Sequence, residues 1–265
     1  MRASTEAHWT RFWKEREDID AVYPTDGRVV EQILAQGPVR GRRVLEVGAG
    51  SGRDSVALAS EGAIPFILDY SMASLETARK VAQRHGVTPI LVRADALRLP
   101  FRDGAFDTIF HQGLLEHFRD PMPLLRENVR ALARGGLLLV DVPQRWHLYT
   151  LLKHAMIATG TWFAGWETEF TIGRLEGLLR RAGVRVVHRY GAWMVPGLAY
   201  RSLRALLLKL KLAKLPLEPP PVPVVSPLLA RWRRAWDGTP VAFRTYFVIG
   251  VLGRNDPPAP ERTRG

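Results

Sequence analysis

A short apolar run followed by three alternate glycines is the feature that most constrains this fold. The run is residues 44–47, and Glu46 lies two positions before the first of the glycines Gly48, Gly50 and Gly52. Valine and leucine bounded by glycine are typical of a buried parallel strand, and glycine lets a backbone approach a ligand where a Cβ would collide. Residues 53–59 have apolar positions at helical spacing, so we expect the turn to open a helix whose first N–H groups face the ligand. The pattern predicts a site for a nucleotide-bearing cofactor.

The spacing of these glycines separates two cofactor classes. A dinucleotide-binding turn reads G-x-G-x-x-G, whose third glycine falls at position 53, where this chain has the long side chain of Arg53. The chain reads G-x-G-x-G instead, and the carboxylate of Glu46 repels a pyrophosphate but suits a cationic amine. In this it resembles the class I S-adenosylmethionine-dependent methyltransferases, whose first motif is an acid followed by G-x-G-x-G. A nicotinamide-dependent oxidoreductase on the same fold stays an alternative, although Arg53 and Glu46 argue against it.

Further strand-like segments follow in the order that this resemblance implies. They are predicted at residues 65–69 ending at Asp69, 89–95 ending at Asp95, 106–112, 137–143 after a helix stop at Gly135-Gly136, 184–188 and 245–252. The resemblance covers roughly residues 40–190. It implies an α/β fold, a Rossmann-like three-layer sandwich whose seven-stranded sheet is mostly parallel with an antiparallel last strand. In this chain a helical insertion separates strands six and seven.

The resemblance also implies which residues hold S-adenosylmethionine. Glu46 would contact its methionyl amino group, Asp69 the ribose hydroxyls and Tyr70 the adenine face. Asp95 and Ala96 would lie at the adenine edge, and Gln112 at the methionyl end. The full predicted cofactor set is Glu46, Gly48, Ala49, Gly50, Gly52, Asp69, Tyr70, Asp95, Ala96 and Gln112. For Asp69 and Asp95, helix capping remains the alternative role.

Length and composition indicate a single domain. With 265 residues, 46% of them apolar, the chain can bury one core without a second domain. We expect one domain over residues 1–254, with a disordered tail at 255–265. Its predicted parts are an N-terminal helical lid (1–39), a cofactor-binding core (40–190), a helical and proline-rich insertion (191–240) and the last strand (241–254).

The absence of cysteine narrows the chemistry. It excludes disulfides, cysteine-ligated metals and a cysteine nucleophile. There is no basic and apolar leader at Met1, and no run of eighteen apolar residues occurs. A cytoplasmic protein, or one held peripherally at a membrane, is therefore expected.

Two aromatic groups are candidates for the walls of a substrate site. Trp9, Phe12 and Trp13 share one helical face, so Trp9 and Trp13, together with Tyr23, are predicted lid residues. After the fifth predicted strand, aromatic rings recur between residues 146 and 166 and suit a flat or lipophilic acceptor. The predicted substrate-facing residues are Trp146, Tyr149, Trp162 and Trp166. Packing of these rings at the edge of the sheet is the alternative.

A general base for an oxygen or nitrogen acceptor is sought among the histidines nearest the expected cleft. His147 follows the fifth predicted strand and is the first candidate, and His111 in the fourth is the second, although strand alternation points it away from Gln112. Glu116-His117 resembles a metal-binding pair of polyprenyl-catechol O-methyltransferases. Those enzymes have a further acid three residues before the glutamate, where this chain has Gly113, so no metal is predicted.

The insertion and the net charge of +12 bear on partners. Residues 201–236 hold a leucine-rich, lysine-studded segment, a run of prolines and two tryptophans. Leu203, Leu206, Leu207 and Leu210 share a helical face, whereas Leu208, Leu212 and Leu215 do not. Contact with an anionic membrane surface is one prediction for this segment, and packing on the main body or on a second subunit are the alternatives.

The function predicted from the sequence is methyl transfer from S-adenosylmethionine to a small-molecule or lipid acceptor, at an oxygen, nitrogen or carbon atom. Enzymes that methylate the exocyclic amine of adenine have a D/N-P-P-aromatic motif after strand four. Residues 111–114 of this chain read His-Gln-Gly-Leu and lack this motif. An RNA-directed methyltransferase fits the basic charge but has no recognisable RNA-binding module here. A nicotinamide-dependent oxidoreductase and a non-catalytic cofactor-binding protein also remain open.

Overall fold

The computed structural model describes residues 5–14, 27–162, 166–217, 219–221, 223 and 225–256. A seven-stranded sheet forms its middle layer. The strands are β1 Arg43–Val47, β2 Ile64–Asp69, β3 Ile90–Arg93, β4 Phe106–Gln112, β5 Leu132–Pro143, β6 Arg185–Ala192 and β7 Val248–Arg254. Their order in the sheet is β3-β2-β1-β4-β5-β7-β6. Strand β7 is antiparallel to both β5 and β6, and the other pairings are parallel, so the predicted fold class is confirmed.

Helices connect these strands. They are α1 Glu6–Lys14, α2 Arg28–Leu34, α3 Arg53–Ser60, α4 Met72–Arg84, α5 Met122–Ala131, α6 Leu148–Ala158, α7 Ile172–Arg181, α8 Leu198–Lys209, α9 Val225–Trp236 and α10 Ala242–Thr245. A single 3-10 turn covers Leu115–His117. Because α8, α9 and α10 all follow β6 and precede β7, the helical insertion that the sequence predicted is present.

Alternating side chains along the strands bury both faces of the sheet. Leu138, Val140 and Val142 of β5 belong to a core with α5 and α7. Leu137 and Leu139 belong to a second core, which includes residues of α2 and α3. Because successive side chains of a strand point to opposite faces, a run of apolar residues is what a strand covered on both sides needs. This arrangement gives three layers and brings the carboxyl ends of β1, β2 and β4 to one edge.

Two strand boundaries differ from the sequence predictions. Strand β5 begins at Leu132, before the predicted helix stop at Gly135-Gly136, because Leu132 already pairs with Phe106 of β4. The last strand begins at Val248 and not at 245, because α10 extends to Thr245. Both differences lie away from the glycine turn and leave the strand order as predicted.

The ends of the chain are described only in part. In α1, Thr10 Oγ1 lies 3.3 Å from Ser71 Oγ at the start of α4, and Glu6 forms an ion pair with Arg93 at 3.0 Å. These contacts hold α1 beside the carboxyl ends of β2 and β3. Tyr23, the third predicted lid residue, and residues 257–265 of the predicted tail lie outside the described residues. Within the described ranges, none of the helices has the length and apolar character needed to cross a bilayer.

Candidate functional site

The three glycines after β1 adopt a backbone that only glycine accepts easily. Their φ angles are +65° at Gly48, +56° at Gly50 and +65° at Gly52. A Cβ at Gly48 would lie 2.7 Å from Leu114, and one at Gly50 would collide with the ring of Trp13. Left-handed φ and a crowded Cβ position together explain why the sequence uses glycine here. The turn then opens α3 at Arg53, as the sequence predicted.

Glu46 lies under this turn with a carboxyl group that has few partners. It is 5% exposed, and its Oε2 accepts a hydrogen bond from the N–H of Ser55, in the first turn of α3, at 3.2 Å. Burial and then the negative charge of Asp54 raise the pKa of Glu46 to about 8. A buried carboxyl with a raised pKa is stabilised in its charged form by a cation, so the group suits a positively charged amine.

Asp69 ends β2 and is tied to the glycine turn. Its Oδ2 accepts from the N–H of Gly50 at 3.1 Å, and its Oδ1 accepts from the N–H of Ser71 at 2.9 Å. Burial raises the pKa of Asp69, against the lowering effect of these hydrogen bonds. The side chain therefore fixes the two loops relative to each other.

The other predicted cofactor residues divide into two groups. Ala49, Tyr70, Ala96 and Gln112 line the same cavity as Glu46 and Asp69. The amide of Gln112, in its hydrogen-bonding orientation, donates to Asp54 Oδ2 at 3.0 Å and accepts from the guanidinium of Arg28. Asp95 is exposed, does not line the cavity, and accepts from the N–H of Leu97 at 2.9 Å. That contact is a local turn, close to the capping role that the sequence left open.

One cavity of about 920 Å³ extends from the glycine turn to the insertion. Besides the cofactor residues, its walls come from α1, from the 3-10 turn, from α6 and from the insertion. The wall residues include Trp9, Phe12, Trp13, Glu116, His117, Tyr149, Lys153, Trp162, Glu167, Tyr200, Arg201, Leu229 and Phe247. This volume lies near the upper end of the usual range for ligand pockets, and the cavity joins the cofactor residues to an aromatic wall.

The four predicted substrate-facing aromatics do not all reach this cavity. Tyr149 and Trp162 line it, and the indole N–H of Trp162 donates to Glu167 Oε1 at 2.8 Å. Trp146 is 57% exposed with Arg145 over its ring, and Trp166 lies under the guanidinium of Arg119 at 4.3 Å. Neither of these two lines the cavity, so the structure brings together half of the predicted set.

The two histidines proposed as bases lie elsewhere. His147 caps the N-terminus of α6, where its Nδ1 accepts from the N–H of Tyr149 at 3.1 Å. His111 is fully buried in β4, and burial lowers its pKa to about 3. Neither residue lines the cavity. Their positions therefore indicate that His147 caps a helix and that His111 packs in the core.

A buried ionic cluster in the cavity wall was not identified from the sequence. Lys153 is 1% exposed, and its Nζ lies 2.7 Å from Glu167 Oε2 and 3.1 Å from Glu169 Oε1. Although burial lowers it, the two carboxylates raise the pKa of Lys153 on balance. Lys153 follows Tyr149 by four residues in a largely apolar helix, and this spacing was the available signal.

Glu116 and His117 stand beside this cluster. Glu116 is 3% exposed, and its Oε2 has no hydrogen-bond partner among the described residues. Burial and then the charge of Glu167 raise the pKa of Glu116 well above its ordinary value. Burial lowers the pKa of His117 to about 4, and the ring of Trp9 packs edge-on against it at 4.9 Å. Among the described residues no group of three or more acids and histidines is arranged to hold a metal ion.

A second charged group lies between the glycine turn and β5. Arg28 donates to Asp141 Oδ2 from Nε at 3.0 Å and to Oδ1 from its terminal nitrogen at 2.9 Å. Tyr190 of β6 donates to Asp141 Oδ2 at 2.8 Å. A guanidinium that grips both oxygens of a buried carboxylate fixes the geometry of both groups. This contact ties α2 to β5 and β6 beside Gln112.

Comparisons with known proteins find methyltransferases. A family model described as a methyltransferase domain matches residues 45–140. A demethylmenaquinone methyltransferase of Clavibacter sepedonicus is 37% identical over 112 residues, which make 42% of this chain and 45% of that protein. A ubiquinone biosynthesis O-methyltransferase of Parvibaculum lavamentivorans is 27% identical over 186 residues, 67% of this chain and 70% of that protein. The matched segment thus spans less than half of the first relative.

The structural comparison covers more of the chain. The structure of a SAM-dependent methyltransferase from Thermotoga maritima, described as a possible histamine N-methyltransferase, superposes with a TM-score of 0.63 at 20% identity. It covers 95% of this chain and 100% of that one. The sequence model matches the segment that carries Glu46, the glycine turn and Asp69, and the fold agrees beyond it. A methyltransferase domain therefore spans residues 45–140, and the chain as a whole has the fold of that SAM-dependent methyltransferase.

Proposed function

We propose that this protein transfers a methyl group from S-adenosylmethionine to a small or lipophilic acceptor. The observation that carries this proposal is the single cavity that joins Glu46 and the glycine turn to an apolar and aromatic wall. A cofactor and an acceptor that share one cavity can be held in line, which is most of what this chemistry requires.

The chain's own residues fit the cofactor. Glu46 has a raised pKa that a cationic amine would lower, the three glycines shape the turn with left-handed φ angles, and Asp69 holds the turn through the N–H of Gly50. S-adenosylmethionine, when bound, supplies a methyl group on a sulfonium that is already electrophilic. The remaining tasks fall to the protein: it orients the acceptor, keeps out water and removes a proton from an oxygen or nitrogen nucleophile.

The acceptor class follows from the wall opposite the glycine turn. Tyr149, Trp162 and Phe247 present ring faces and edges there, and Leu229 adds an aliphatic side chain. A planar, largely apolar molecule with one polar group matches such a wall. The names of the two relatives, which concern menaquinone and ubiquinone, support an acceptor of this kind.

We infer that Glu116 removes the proton of the acceptor. It lines the cavity, one of its oxygens has no partner among the described residues, and its raised pKa makes it a stronger base than an ordinary carboxylate once ionised. We expect Glu116→Gln to lower kcat by about a hundredfold for an oxygen or nitrogen acceptor and to remove the rise of kcat with pH. Glu169→Gln also removes a carboxylate near Lys153, but Glu169 does not line the cavity, so the rise of kcat with pH should remain.

The decisive experiment is an acceptor screen with a labelled methyl donor. Quinone, lipid and RNA extracts are offered in parallel, and calorimetry measures binding of S-adenosylhomocysteine and NAD. We expect S-adenosylhomocysteine to bind, NAD not to bind, and label to enter a lipid or quinone fraction. Binding of NAD without S-adenosylhomocysteine would favour the oxidoreductase, and label in RNA would favour the RNA-directed enzyme.

A further inference from the structure

The insertion has an outward face that the proposed function does not use. Helix α8 contains no buried residue. Leu203, Leu206 and Leu210 follow one another at intervals of three and four residues and are 48%, 51% and 55% exposed. Residues with that spacing form one stripe along a helix. Exposed leucines in a continuous stripe indicate a surface that binds something apolar.

The opposite side of α8 faces the protein. Tyr200 and Arg201 line the cavity, and Arg201 Nε donates to the carbonyl of Pro196 at 2.9 Å. Arg204 Nε donates to the carbonyl of Leu215 at 3.1 Å. These contacts orient the helix, so the leucine stripe is directed outward and the arginines inward. The leucines are therefore exposed by the way that α8 is seated, and the cavity lies directly behind them.

Helix α9 adds large exposed side chains to the same insertion. Leu228, Trp232 and Trp236 recur every four residues and are 61%, 50% and 40% exposed. Another residue of this helix, Leu229, lines the cavity. Tryptophan prefers the boundary between the headgroups and acyl chains of a bilayer, because its ring is apolar and its N–H is polar.

The positive charge of the insertion favours an anionic partner. Residues 198–236 contain eight lysines and arginines and a single acid, Glu218. Lys209, Lys211, Lys214, Arg231 and Arg234 are exposed. Exposed leucines and tryptophans beside exposed cations match a bilayer surface, where anionic headgroups cover apolar acyl chains. Two copies of this face would repel each other, and nucleic acid offers no apolar layer for the leucines.

We propose that α8 and α9 dock on the surface of an anionic lipid bilayer, with the mouth of the cavity at that surface. Leucines and tryptophans enter the upper acyl region, and the lysines and arginines contact lipid phosphates. This inference rests on the proposed function for one consequence: a lipid acceptor reaches the cavity from the bilayer without crossing water. The docking itself needs only the exposed faces described above.

Vesicle flotation of the full chain tests the docking. Vesicles of phosphatidylcholine alone are compared with vesicles that also contain phosphatidylglycerol. We expect flotation with the anionic vesicles only, weakening as salt is added. Each lysine near such a surface contributes a similar amount to the binding free energy. We therefore expect the partition coefficient to fall on the order of a hundredfold when glutamine replaces Lys209, Lys211 and Lys214 together. Replacing Leu203, Leu206 and Leu210 by serine should also abolish flotation.

A matched control removes three exposed cations elsewhere. Arg79, Lys80 and Arg84 of α4 are exposed, and their replacement by glutamine should leave flotation unchanged. S-adenosylhomocysteine binding, measured on every variant, shows that each one is folded and tests the proposed function separately. No flotation of a wild type that binds S-adenosylhomocysteine would overturn the docking alone. The docking would also be overturned if the control variant lost flotation equally, or if the wild type formed a dimer that the leucine variant does not form. Binding of the wild type to RNA without flotation would overturn it as well.

Discussion

The carboxyl group of Glu46 opposes the stability of the free protein and favours binding of a cation. Its pKa is raised from 4.5 to about 8, so between these values the folded protein keeps a proton that the unfolded chain releases. Stability contributed by such a group is complete below pH 4.5 and is lost as the pH rises through 8. At the pH where Glu46 is ionised and would bind a cationic amine best, this group therefore lowers the free energy of unfolding of the free protein.

Glu46→Gln separates these two effects. The free energy of unfolding of the wild type should fall by about 4 kcal/mol between pH 5 and pH 9 through this group, and the variant should lack this part of the decrease. Urea unfolding of both proteins at the two pH values measures the difference. The variant should also lose affinity for S-adenosylhomocysteine. Glu61→Gln removes an equal charge at an exposed position and should behave as the wild type; an identical pH dependence in all three proteins would contradict the assignment.

Lys153 is the residue whose loss should cost the most stability. Its ammonium group is buried between Glu167 and Glu169, so Lys153→Met leaves two buried carboxylates without their cation. We expect the free energy of unfolding at pH 8 to fall by about 3–5 kcal/mol, the usual cost of breaking a buried pair. Lys209→Met, at an exposed site, should change it by less than about 0.5 kcal/mol. Adding Glu167→Gln and Glu169→Gln to Lys153→Met should recover part of the loss, and no recovery would argue against ion pairing as its cause.

Helix α1 closes the cofactor side of the cavity. The ring of Trp13 covers Gly50, and Trp9 packs against His117, so one short helix touches both the glycine turn and the acceptor wall. We propose that α1 acts as a lid, and a lid slows the release of a ligand. Trp13→Ala should speed dissociation of S-adenosylhomocysteine about tenfold, measured by stopped-flow fluorescence. Trp146→Ala, at an exposed position off the cavity, is the control. Unchanged or slower release would mean that Trp13 competes for the cofactor's place.

The order of the elements was predictable because each strand carries its own local signal. Apolar runs that contain Glu46 or end at Asp69 and Gln112 give the positions of β1, β2 and β4, and glycine spacing gives the turn. The start of β5 was not predictable, because it depends on pairing between Leu132 and Phe106. His147 follows a strand, as a catalytic residue often does, but the helix that begins after it uses the ring nitrogen as a cap.

The acceptor half of the site depends on contacts between distant parts of the chain. Lys153 and Glu167 form an ion pair although they are fourteen residues apart in the sequence. Tyr200 lines the same cavity from the insertion, and Phe247 lines it from the residue before β7. No single segment of sequence carries this arrangement, so the ion pair of Lys153 was not predicted, and two of the four predicted aromatic side chains line the cavity. The residues predicted for the cofactor lie instead on one turn and at the ends of neighbouring strands, so local sequence is enough to bring them together.

Binding of the cofactor should offset the loss of stability with rising pH that Glu46 causes in the free protein. A cationic amine binds the ionised form of Glu46, so between pH 5 and pH 7.5 the affinity for S-adenosylhomocysteine should rise by up to about tenfold per pH unit. A ligand that binds only the folded protein stabilises it by about 2.7 kcal/mol at a hundred times its Kd. At a fixed ligand concentration, the increase in Tm should therefore grow from pH 5 to pH 7.5, while the Tm of the free protein falls through Glu46. Thermal unfolding at several pH values, with and without ligand, measures both trends. In Glu46→Gln both should be weaker, and an equal ligand-induced shift at pH 5 and pH 7.5 in the wild type would show that Glu46 does not bind the amine.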